Sequence, residues 1–146
     1  MIQRAAIAAL LAMSMSMSGL VMAKASAMSG YKWKMRPLLV FAPSEGSASL
    51  TTQRAIVASL RPAFQDRHMV VVYIVGDTVQ AELGGKPSQS AAPLRSRYGV
   101  DAGEFRVILI GKDGGEKLSS GSPIAATALF STIDAMPMRK DETRRR

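Results

Sequence analysis

Three stretches of the chain are apolar almost without interruption: "PLLVFAP" (residues 37–43), "HMVVVYIV" (68–75) and "FRVILI" (105–110). A strand exposed on one face alternates apolar and polar positions. A continuous run of this length is instead the pattern of a strand covered on both faces. The second and third runs are also rich in β-branched residues, which suit a pleated surface. Between the first two runs the spacing changes. Leu50, Ile56, Val57, Leu60 and Phe64 recur at helical intervals, and Pro62 ends or bends that helix in its last turn. "SEGSAS" (44–49) supplies turn and cap chemistry, with Ser47 and Ser49 both able to cap.

Beyond the second run, residues 76–90 are polar and lose periodicity, which predicts a long loop. "AAPLRSRYGV" (91–100) predicts a short helix stopped by Gly99. After the third run, "GKDGGEK" is a hairpin-type turn leading to a short fourth strand over 117–120. Pro123 suits the first turn of a last helix with Ile124, Leu129, Ile133 and Met136 on its apolar face, and Pro137 stops it. The order is β-α-β-α-β-β-α. A helical crossover makes the first two strands parallel with a right-handed connection, and the hairpin makes the last two antiparallel. The expected fold class is α/β: a four-stranded mixed sheet with helices on both faces, in the order of a thioredoxin-like core.

The first 25 residues follow a different rule. Arg4 precedes the apolar run "AAIAALLAM" (5–13), and the small-x-small sites "AKA" (23–25) and "ASA" (25–27) follow. That is the pattern of a secretory signal peptide, and the run is too short for a membrane span of ~20 residues. The expected organisation is a signal over 1–25, a thioredoxin-like domain over 33–140 and a charged tail over 141–146. The expected location is periplasmic or secreted.

Charge narrows the partners. The chain has 19 basic and 11 acidic residues, net +8. Removing the signal takes away Arg4 and Lys24, leaving 17 against 11 and a net charge of +6. Three of those charges are Arg144, Arg145 and Arg146, which read as a solvated tail. There is no basic stripe with interleaved aromatics, so nucleic acid is not an expected partner. The chain contains no cysteine. Thiol catalysis, cysteine redox chemistry and cysteine metal sites are excluded. His68 is the only histidine, and without a His/Cys cluster no metal site is expected.

The stretch "YGVDAGEFRVILIGKDGGEK" (98–117) resembles the thioredoxin segment that runs from a Tyr-Gly bend through an apolar strand to a Lys-Asn-Gly-Glu-like turn. "RPLLVFAP", "FRVILIGKDGGEKL" and "IDAMPMR" together resemble the family called domain of unknown function 4174. That resemblance covers roughly residues 33–142. It implies a thioredoxin-like or peroxiredoxin-like fold and an exported protein, and a similar domain occurs in sushi-repeat extracellular proteins of animals. It names no activity. Where thioredoxins carry two cysteines, this chain has "APSEGSAS". Where they carry a cis-proline before the third strand, it has Gly103, Glu104 and Phe105.

The candidate chemistry is therefore a turn without a thiol. Ser44, Ser47, Ser49 and Thr51 crowd a helix N-terminus, where free N–H groups attract anions. His68 begins a strand parallel to the one that ends at the turn, so it lies about one strand length away, ~15–20 Å, too far to act as a base for a serine. The expected role is a protein- or peptide-binding module of the cell envelope, with no cofactor and no catalytic residue. The alternative is a small-anion site or thiol-independent enzyme using the turn with a basic residue such as Arg36 or Arg106. The closing motif, Asp134, Pro137 and Arg139, is expected to be structural. Asp134 and Arg139 pair across a turn at Pro137, and Met136 and Met138 pack on the sheet's flank.

Overall fold

The structure is a computed structural model and describes residues 28–146. The signal-like segment lies outside the described residues. The elements are β1 (Arg36–Ala42), α1 (Ala48–Ser59), α2 (Arg61–Asp66), β2 (Met69–Val75), β3 (Thr78–Glu82), α3 (Ala91–Tyr98), β4 (Arg106–Ile110), β5 (Glu116–Ser120), α4 (Ala126–Asp134) and α5 (Pro137–Arg144). They form a mixed α/β architecture around one five-stranded sheet in the order β3-β2-β1-β4-β5. β1 and β2 are parallel, and every other neighbouring pair is antiparallel.

The three apolar runs are the three central strands. Alternate residues of each face opposite sides. Leu38, Val40, Val71, Tyr73, Val107 and Leu109 pack with Leu50 and Val57 of α1, Phe64 of α2 and Leu129 and Ile133 of α4. Leu39, Phe41, Val72, Ile74, Ile108 and Ile110 pack with Ala91 and Leu94 of α3 and with Met28 and Tyr31. Both faces are thus covered, which is why the runs carry no polar alternation.

α1 and α2 join through Leu60, and Pro62 sits in the first turn of α2. There its missing N–H leaves no bond unmade. α3 ends at Gly99 with φ +66°, the left-handed stop. Gln53, fully buried on α1, donates to Ile124 O (3.2 Å) and accepts from Ile124 N (2.8 Å). It thereby holds the approach to α4.

Three expectations are corrected. The sheet has five strands rather than four, because β3 lies inside the segment read as loop. A two-residue turn, Gly76–Asp77, folds β3 back on β2 with Val75 opposite Thr78, and Gly76 takes φ +54°. This is the tight hairpin geometry that glycine permits. The helix expected from Pro123 begins at Ala126. Pro137 does not stop the chain's last helix but opens a further one, α5, and the charged tail is helical from Asp141 to Arg144. Proline at the first helical position is as legitimate as proline at a stop.

Candidate functional site

The Ser/Thr-rich turn leaves the carboxyl end of β1 and enters α1. Ser47 is at the centre of its hydrogen bonds. Ser47 N donates to Ser44 O (3.2 Å), and Ser47 Oγ accepts from Leu50 N (3.3 Å) as the helix cap. Thr51 donates to Ser47 O through both N (3.1 Å) and Oγ1 (3.3 Å). Ser44 is exposed and Ser49 half-buried. Arg106, opposite Phe41 on β4, is taken by Glu104 and donates to Ser119 Oγ at 3.1 Å. Arg36 stands at the far end of β1 and does not reach the turn. Arg54 of α1 pairs with the turn's Glu45 at 2.5 Å, and a further cation at this end of the sheet is Arg95 of α3. Its terminal nitrogens donate to the carbonyls of Gly76, Ala42 and Ile74, binding the ends of β1 and β2 together. His68 is at the opposite end, in register with the start of β1. The structure therefore brings Ser44, Ser47, Ser49 and Thr51 together without a histidine, and the carboxylate among them, Glu45, is paired with Arg54.

The opposite end of the sheet holds a denser constellation. Arg36 opens β1, fully buried. It donates to Arg67 O (2.8 Å) and grips Glu142 of α5 with both terminal nitrogens, at 3.2 and 3.1 Å. Lys112, in the β4–β5 turn and 7% exposed, reaches Glu142 Oε1 (2.6 Å) and His68 Nδ1 (2.8 Å). Arg139 of α5, 4% exposed, donates to Asp66 O (2.8 Å) and Asp66 Oδ2 (2.6 Å). Its contact with Asp134 is longer, 3.4 Å. Asp134 is instead engaged by Arg67, at 3.0 and 2.9 Å, and Arg146 reaches Asp66. Met136 packs on the core, whereas Met138 is 38% exposed, so only one of the two methionines covers the sheet's flank.

The carboxylates here are each held by more than one cation. Burial pushes the Glu142 carboxyl up, but hydrogen bonds from Arg36 and Lys112, with their charges, outweigh it and hold it at about 2. Hydrogen bonds from Arg146 and Arg139 hold Asp66 at about 2. Burial, and then the Lys112 charge, lower His68 below its usual value, so the ring is neutral at neutral pH.

Two of the three non-glycine residues in the left-handed region, among the described residues, stand at this corner: Trp33 (φ +67°) and His68 (φ +52°). Trp33 N donates to Lys112 O at 2.6 Å, and Arg36 N to His68 O at 2.8 Å. Side chains with a Cβ pay of order 1–3 kcal/mol to sit there. Trp33, the sole tryptophan, is 59% exposed.

A family model described as a domain of unknown function, DUF4174, matches residues 27–142. The chain belongs to this family. It is also similar to the Sushi repeat-containing protein SRPX of Homo sapiens, 30% identical over 113 residues. The rat and mouse proteins of that name are 29% and 28% identical over the same length. In each case the match covers 75% of this chain and 24% of the relative, so the chain spans about a quarter of those proteins. The DUF4174 stretches "RPLLVFAP", "GKDGGEKL" and "IDAMPMR" supply Arg36, Lys112 and Arg139, which converge on Glu142. The sequence offered Arg36 only as a possible partner of the Ser/Thr turn, at the other end of its strand, and Lys112 only as a turn residue.

Proposed function

We propose that the chain is an exported domain without thiol chemistry that acts by binding a protein or peptide, in the periplasm or outside the cell. The observation that carries this reading is the closed Ser/Thr turn. Ser47 is spent on capping Leu50 N, and the cations near the turn are spent on Glu45, on Glu104 and on backbone carbonyls. A reacting serine finds no histidine there, and the turn's own carboxylate, Glu45, is paired with Arg54.

A thioredoxin-like ancestry is supported by the strand directions. Along β2-β1-β4-β5 the pairs run parallel, antiparallel, antiparallel, with β3 added at the β2 edge. The absence of cysteine from the whole chain removes the redox chemistry that such a scaffold otherwise carries. Export is supported by the signal pattern. Met28 is 6% exposed in the second core face, and Tyr31 donates to Gly85 O. Cleavage after Ala25 or Ala27 would leave that packing whole. No helix among the described residues is long and apolar enough to cross a membrane.

The test is crosslinking and pull-down of the processed protein from extracytoplasmic fractions, with its intact mass measured. The expected result is a chain starting at Ser26 or Met28 that recovers a bound protein or peptide, unaffected by Ser44→Ala or Ser47→Ala. A full-length mass in the cytoplasm would overturn export. Loss of function in Ser47→Ala with the fold intact would return the turn to the status of a working site.

A further inference from the structure

We propose that the corner formed by Lys32, Trp33, Lys34 and His68 is the docking surface, and that its partner is an acidic peptide segment. The proposal rests on the binding-module reading above and adds to it the site and the chemistry of the partner.

Trp33 is exposed and flanked by exposed Lys32 and Lys34. Lys32 Nζ stands 5.3 Å from the indole centroid. The indole N–H has no partner among the described residues. The turn that presents these side chains is fixed, since Trp33 N is bonded to Lys112 O and Lys34 N to Tyr31 O. His68 joins the same corner through Lys112, and its side chain is 41% exposed. Because Lys112 occupies Nδ1, the free Nε2 carries the proton and donates outward. Every exposed polar group named here is thus a donor: two ammoniums, an indole N–H and an imidazole N–H. The carboxylate behind them, Glu142, is engaged by Arg36 and Lys112. The neighbouring carboxylate, Asp113, is held by Gly115 N and Lys117, so the groups left to a partner call for an acceptor-rich, negatively charged one.

Trp33 holds a backbone conformation that glycine would adopt without strain. Folding alone does not favour tryptophan there. Tryptophan combines a large flat contact area with one donor and recurs at the centres of binding surfaces. An acidic peptide fits better than an anionic bilayer. Membrane association grows with inserted apolar area, and the large exposed apolar side chains among the described residues are only Trp33, Leu60 and Met138, the last two little more than a third exposed.

The test uses the purified protein and a short fluorescein-labelled peptide of alternating Glu and Ser, read by anisotropy. Two-dimensional NMR follows the one indole and the one imidazole. Saturable binding is expected, weakening at least ~5-fold from low to high salt, with the Trp33 indole and His68 signals shifting. Trp33→Gly is expected to melt no lower than the parent yet bind ~10-fold more weakly. Lys32→Glu with Lys34→Glu is expected to do the same. Arg61→Glu, a charge reversal at an exposed pair with Glu82 on another face, is expected to change affinity less than ~2-fold. The proposal falls if Trp33→Gly binds normally, if Arg61→Glu weakens binding as much as the lysine pair, or if no binding is reached at ~1 mM. Preference for phosphatidylglycerol vesicles over the peptide would assign the corner to lipid instead. If the pull-down recovers a partner that Trp33→Gly still holds, the binding-module reading stands and this surface fails. If neither partner nor peptide is bound, both fail.

Discussion

Lys112 Nζ lies 2.8 Å from His68 Nδ1, across 44 positions of sequence. An ammonium donates only, so Nδ1 accepts and the imidazole proton resides on Nε2. Nitrogen chemical shifts of the single histidine are expected to report the Nε2–H tautomer and a midpoint below 6.5. In Lys112→Met one lowering charge is gone while Glu142, which raises the value, remains. The midpoint is then expected to rise. An unchanged midpoint would mean that burial alone sets it.

Acid is expected to destabilise the fold in two stages. His68 has a folded pKa below its unfolded value of 6.5. Below pH 6.5 the unfolded chain therefore binds the proton first, and stability falls as pH drops. Glu142 and Asp66 are both held at about 2. Their contribution is complete above their unfolded values and is lost as pH falls from about 5 toward 2. For Glu142 alone the loss is at most ~3 kcal/mol. Urea midpoints across this range test it. Glu142→Gln is expected to flatten the second stage. At neutral pH it should also cost ~3–5 kcal/mol by leaving buried Arg36 without a counter-charge. A parallel acid profile in that variant would refute the assignment.

The central strands were legible in the sequence because burial on both faces leaves an uninterrupted apolar run, as in β1 and β2. β3 was not. Its alternation, Val79 and Ala81 inward against Thr78 and Gln80 outward, spans only five residues, and the Gly84–Gly85 that follows looks like loop. α5 was missed for a different reason. Its one buried residue is Arg139, so no apolar periodicity marks it, and Pro137 reads equally as an end or a beginning. The charged corner could not be assembled from spacing. Arg36 and Glu142 are 106 positions apart, and only the sheet's topology and the β4–β5 turn bring Lys112 between them. The turn at residues 44–51 was legible as a cap, because Ser47 capping Leu50 is a local contact.

Leu39 faces Val72 on one side and Ile108 on the other in the middle of the sheet, and it is fully buried. Leu39→Ala is expected to cost ~2–5 kcal/mol. Leu60→Ala, at a residue 39% exposed, should fall within ~0.5 kcal/mol of the parent. Far-UV circular dichroism is the better probe, since the exposed Trp33 reports little on core packing. Equal midpoints for the two variants would place the core elsewhere.

The final prediction concerns how α5 is held. A helix normally docks through an apolar stripe, yet α5 buries only Arg139 and docks through ions. Arg139 closes on Asp66 at 2.6 Å and on Asp134 at 3.4 Å. The guanidinium is buried and its strong partner is Asp66, so the coupling should follow that geometry and not closeness in sequence. A double-mutant cycle on Arg139→Gln with Asp66→Asn is expected to give a coupling above the ~0.2–1 kcal/mol of an exposed pair. The cycle with Asp134→Asn should stay within that range, because Asp134 keeps Arg67 at 2.9 Å. Hydrogen exchange supplies the structural readout. In Arg139→Gln the amides of α5 should exchange faster, while those of β1 and β2 stay protected at the level of the whole domain. Lys140 N, which donates to Met136 O, is the amide to follow. Equal couplings for the two aspartates would make the motif the turn clasp expected from sequence. Exchange in α5 that matches the central strands would show that the helix opens only with the entire fold.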